Sequence, residues 1–122
     1  MCLYLLLEVR LLPRITLRNS GRSFTAREAG DLSTSQAIAK AEELRAQKKY
    51  FTDAYVDRTD GLVLIGREGN WHFASANCGY DGWGTKTSAE ILEMFGFGEK
   101  EALLQKIAVG GDHANYAFTH NK

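Results

Sequence analysis

This chain has few of the residues that mark specialised chemistry, and each shortage closes off a class of protein. Its two cysteines, Cys2 and Cys78, are too few and too unpatterned for a disulfide framework or a zinc site. A reducing cytoplasm suits them best, and the cytoplasm is the expected location. The three histidines, His72, His113 and His120, share no metal-ligand spacing and form no paired His-x-Thr/Ser motif. Formal net charge is zero, which argues against a general coat for polymeric nucleic acid. No apolar run reaches the length of a membrane span. The opening Met1-Cys2-Leu3-Tyr4-Leu5-Leu6-Leu7 is cut short by Glu8 and Arg10 and has no basic residue ahead of it, so it does not read as a signal peptide. The expectation there is a strand from Leu3 to Leu12, buried on both faces and closed by Pro13.

What is present is an ordinary globular composition, 44% apolar and 25% charged over 122 residues, enough for one domain (1–122) with a real core. Charge is unevenly placed: residues 10 to 50 hold nine Lys/Arg against four Asp/Glu. Arg10, Arg14, Arg18, Arg22 and Arg27 belong to this basic stretch, which reads either as a positive pole or as a solvated surface.

Periodicity predicts an α+β fold, an antiparallel β-sheet of about five to six strands packed with two or three α-helices. Arg14-Ile15-Thr16-Leu17-Arg18 alternates as a half-buried strand, Asn19-Ser20-Gly21 turns, and Phe24 begins another extended piece. Ser33 and Gln36 form a capping box for a helix running to about Lys49, with Ala37, Ile38, Ala41 and Leu44 along one side. Strands are expected over Phe51–Arg58, Leu62–Ile65 and Trp71–Phe73, with Thr59-Asp60-Gly61 as a hairpin connection. Two helices, roughly 88 to 95 and 99 to 109, follow a glycine-rich loop, and Ala114–Phe118 returns as an edge strand.

That loop, Gly79-Tyr80-Asp81-Gly82-Trp83-Gly84-Thr85-Lys86-Thr87-Ser88, carries the densest functional signal. Glycines admit a ligand close to the main chain, a helix start offers N–H groups to an anion, and Tyr80 and Trp83 supply faces for stacking. The order of residues breaks the phosphate-loop motif of nucleoside triphosphatases, and the glycine spacing reverses the dinucleotide fingerprint. Thr87 is placed to cap the helix, with Glu90 three residues on. Arg58 and Arg67 bracket the central hairpin, and arginine is the preferred fork for phosphate. The bland alternative is a glycine-rich turn joining strand to helix, with Trp83 in the core. No metal or cofactor is expected. Cys78, His72 and Asp81 are the groups on which a small nucleotide-processing enzyme would depend, and the apolar N-terminal strand is the edge that a protein-interaction module would use.

The segment from Trp71 to about Phe97, a strand followed by Gly-Tyr-x-Gly-x-Gly and a short helix, resembles the corresponding element of phage anti-Thoeris proteins. These sequester a cyclic ADP-ribose-type immune signal. The resemblance implies a non-enzymatic homo-oligomer, dimer or hexamer, that holds glycocyclic ADP-ribose between protomers and in some members binds cyclic oligonucleotides. It implies that Tyr80, Asp81, Gly82, Trp83, Lys86 and Thr87 line the signal pocket, with Arg58 or Arg67 on the pyrophosphate. Arg18, Arg22 and Arg27 become candidates for a second anion site on an oligomer axis.

Overall fold

The computed structural model describes residues 33–120 in full and residues 14–19 and 22–28 as backbone. The expected strand from Leu3 to Leu12 lies outside the described residues. In chain order the elements are β1 (Arg14–Asn19), β2 (Arg22–Glu28), α1 (Thr34–Ala46), β3 (Phe51–Asp57), β4 (Gly61–Gly66), β5 (Trp71–Phe73), α2 (Trp83–Met94), α3 (Lys100–Ile107), a 3-10 turn (Gly111–His113) and β6 (Asn115–Thr119). The architecture is α+β.

The strands are ordered β1-β2-β5-β4-β3-β6. The block β5-β4-β3-β6 is antiparallel throughout. The β1–β2 hairpin joins it by a short parallel pairing, Arg27 beside Trp71 and Glu28 beside His72. An all-antiparallel sheet therefore holds for the four-strand block and fails at the β2/β5 seam. Within the hairpin Arg14 faces Arg27, Arg18 faces Ser23 and Asn19 faces Arg22. Because strand positions alternate, Arg18 and Arg27 share one set of positions with Arg14, while Arg22 falls in the other.

β3 and β4 form the centre because their alternation suits two faces. Ala54, Val56, Leu62 and Leu64, with Phe73 of β5 and Phe118 of β6, meet the buried sides of the helices: Ala37, Ala41 and Leu44; Ala89, Ile91 and Leu92; Leu103 and Ile107. On the other face Tyr55, Val63 and His72 lie in register and are buried too. The sheet coils enough for β1 to lie against β3, although β2, β5 and β4 separate them in the sheet. The hairpin connection closes as expected, with the Asp60 N–H donating to the Asp57 carboxylate and Gly61 at φ +87°.

α1 begins at the capping box: Gln36 N–H donates to Ser33 Oγ at 3.3 Å and Ser33 N–H to Gln36 Oε1 at 3.0 Å. It ends in a full Schellman motif. Lys49 N–H reaches Leu44 O and Lys48 N–H reaches Arg45 O, with Lys48 left-handed at φ +61°. α2 starts at Trp83, five residues before the expected 88, with Gly82 as its N-cap. Thr87 is therefore no cap: it sits inside the helix and its hydroxyl donates to Trp83 O at 2.7 Å. Gly84 is tolerated in the first turn because the segment before it needs that space, as the site geometry shows.

Candidate functional site

The glycine-rich segment divides into an inward and an outward half. Gly79, at φ +91°, donates its N–H to Ile107 O at 2.8 Å and accepts from Gly111 N–H at 3.1 Å. A Cβ there would overlap the Gly111 carbonyl, so the residue fixes the loop to the end of α3. The Tyr80 ring then folds back over the start of α2. Its hydroxyl donates to Asn77 Oδ1 at 2.8 Å, and a Cβ on Gly82 or Gly84 would collide with the Tyr80 side chain. The Asn77 N–H donates to Gly84 O and the Ser88 hydroxyl to Asn77 O, so the small residues of α2 let this segment dock against the helix.

Arg58 completes this inward half. Its guanidinium carbon lies 4.4 Å from the Tyr80 ring centroid, its Nη1 donates to Gly79 O at 3.5 Å, and its Nη2 is 4.0 Å from Asp112 Oδ1. Arg58 and Tyr80, both expected to hold ligand, are thus partners of one another. Cys78 beneath them is fully buried, and its thiol donates to Ala114 O. Burial first, then the Asp57 charge, pushes that thiol from 9.0 up to about 12, with Arg58 opposing. At neutral pH the thiol is therefore held in its protonated form.

The outward half is different. Trp83, read alternatively as core, is 74% exposed. It stands on the edge of a groove of about 380 Å³ between α1 and α2, to which Lys86, Thr87 and Glu90 of α2, Thr34, Ser35 and Ile38 of α1, and Lys100 contribute. Lys86 Nζ lies 5.1 Å from the Trp83 ring centroid, while Lys100 Nζ reaches Glu90 Oε1 at 3.5 Å. Neither α1 nor α2 has an acidic residue in its first turn, and Gly82 gives α2 no side-chain cap. Two helix starts, each the positive end of a dipole, therefore border one groove.

Of the expected site residues, Trp83, Lys86 and Thr87 come together here; Asp81 and Gly82 stand beside them at the helix start. Arg67 does not. It follows β4 at the end of the hairpin opposite the Arg58 turn, and lines a separate pocket with Lys48, Tyr50, Thr52 and Glu68. Thr34, Ser35 and Lys100 were not anticipated as site residues. The Ser33 capping box marked that helix start in the sequence, but its proximity to Trp83 is a matter of tertiary packing.

His72 is buried, and its Nε2–H donates to the Asp60 carbonyl, leaving Nδ1 without a hydrogen-bond partner. His120 Nε2 bonds Phe95 O at 2.8 Å, and its ring packs on Phe97. Among the described residues no group of three His, Cys, Asp or Glu side chains could hold a metal ion, and no helix is long and apolar enough to cross a membrane. No known protein family matches the chain, and no curated protein or solved structure is significantly similar to it.

Proposed function

We propose that this protein is a homo-oligomeric binder that sequesters a cyclic nucleotide signal of the glycocyclic ADP-ribose type without cleaving it. The observation that carries this reading is the exposed indole of Trp83, standing at a groove where Lys86 and the starts of α1 and α2 supply positive potential, Lys100 being paired with Glu90. The base stacks on Trp83, the pyrophosphate lies toward Lys86 and the helix starts, and Thr34 and Ser35 offer hydroxyls to the ribose. Arg58 and Tyr80 contact one another and lie outside the lining of that groove. A neighbouring subunit closes the groove over the exposed indole, and slow release is the mode of action. The protonated, buried state of the Cys78 thiol favours binding over thiol-based turnover.

The test is a thermal-shift and calorimetric titration with cyclic ADP-ribose isomers, followed by heat denaturation and chromatography of the released ligand. Intact ligand, together with an affinity loss of roughly tenfold or more in Trp83→Ala, is the expected result. Recovery of a hydrolysed product would point to a nucleotide-processing enzyme. Native mass spectrometry reports the subunit number and any co-purified ligand in the same measurement.

A further inference from the structure

The geometry points to a second, separate anion site at the open end of the β3–β4 hairpin, which takes a phosphate monoester carried on a planar ring. The pocket there has a volume of about 320 Å³ and is lined by Lys48, Tyr50, Thr52, Arg67 and Glu68. Its charges are unevenly satisfied. Glu68, the one carboxylate in the lining, is paired with Lys49 at 2.9 Å. The side chains of Lys48 and Arg67 have no hydrogen-bond or ion-pair partner among the described residues. Two cations therefore share a concave surface with no remaining acid to neutralise them. Tyr50 beside them is 53% exposed, and the Tyr50 and His120 ring centroids lie 5.9 Å apart. An aromatic face next to paired cations suits a flat ring bearing a dianion.

The backbone of Lys48 adds an independent reason. It occupies the left-handed position of the Schellman motif at φ +61°, where glycine is the usual residue and a side chain is conformationally costly. The same lysine lines the pocket, so a residue in an uncommon backbone conformation borders the candidate site. A phosphate lies between Lys48 and Arg67, the ring rests against Tyr50, and the Thr52 hydroxyl, now donating to Asp53 at 2.9 Å, stands within the same lining. This site shares no residue with the Trp83 groove, so either can fail without the other.

The test is a two-dimensional amide NMR titration at low salt with adenosine 5′-monophosphate, with adenosine and inorganic phosphate as separate arms. Saturable shifts from the monophosphate at residues 48–52 and 66–68 are expected, weaker ones from inorganic phosphate, and none that saturate from adenosine. Arg67→Gln and Lys48→Gly each weaken monophosphate binding about tenfold, the loss typical of one charge-assisted contact. Lys48→Gly is also the control for folding, since it relieves the backbone: it should melt higher while binding more weakly, a pairing that a purely structural lysine would not produce. The proposal is overturned if the monophosphate moves only residues 34–38 and 83–87, if nothing saturates, or if both variants bind as the wild type does.

Discussion

The two ends of the β3–β4 hairpin hold similar residues in opposite states. At the turn end, the Arg58 guanidinium stacks on Tyr80 and reaches Gly79 O, while the Tyr80 hydroxyl and the flanking glycines are taken up by contacts within the fold. At the open end, Arg67 and Lys48 line one pocket with Tyr50, and their side chains have no partners among the described residues. The glycine-rich end is the more conspicuous in sequence, yet its aromatic and its cation satisfy each other. The lesson is that a residue's type advertises chemistry, while its partners decide whether that chemistry is available.

The sharpest way to break this comparison is to ask whether the turn end is as closed as its contacts imply. The Cys78 thiol, held near 12 and fully buried, should be alkylated on the order of 1000-fold more slowly in the native state than in denaturant, as read by peptide mass mapping. Its folded value lies above the ordinary 9.0, so the stability it contributes is fully present below pH 9 and falls as pH climbs from 9 toward 12. Ready labelling of Cys78 at pH 8 would mean that the turn end opens. Next in size is Gly79→Ala. A positive φ and a Cβ overlapping Gly111 O together should destabilise by about 2–4 kcal/mol in urea unfolding. A loss below about 0.5 kcal/mol would show that the loop is not fastened to α3.

Smaller effects sharpen the contrast. A double-mutant cycle of Arg58→Gln and Tyr80→Leu should return a coupling of about 0.5–1 kcal/mol, since the stack is partly buried. The matching cycle of Arg67→Gln and Tyr50→Leu should return nothing measurable without ligand; equal couplings at the two ends would erase the distinction. Lys48→Gly should stabilise the protein by about 0.5–1 kcal/mol, measured as a higher urea midpoint with an unchanged slope. A loss of stability there would mean that the lysine side chain holds the corner together.

Several elements were legible because short-range physics decides them. Ser33 and Gln36 set the start of α1, and the spacing of Ala37, Ala41 and Leu44 chose its buried side. Thr59-Asp60-Gly61 made the hairpin, and the sequence from Asn115 formed a strand at the edge of the described sheet. The start of α2 was less legible. Three glycines read as loop, but Gly82 is its cap and Gly84 lies in its first turn, because the Tyr80 side chain fills the space their missing Cβ atoms leave. Trp83 could be read as core or as surface, and nothing local distinguishes the two.

The candidate site divides along the same line. Periodicity, caps and turn residues act over a few positions, so the sequence by itself determined the α+β class, the hairpin and the helix that begins at Ser33. Which groups were free depended on contacts between distant segments: Arg58 meets Tyr80 across 22 positions, while α1 and α2 meet only because both pack on one face of the sheet. Packing left Trp83 facing a groove and Arg67 in a pocket of its own. Only the tertiary structure decided that, because side chains that satisfy one another inside the fold are withdrawn from any ligand outside it.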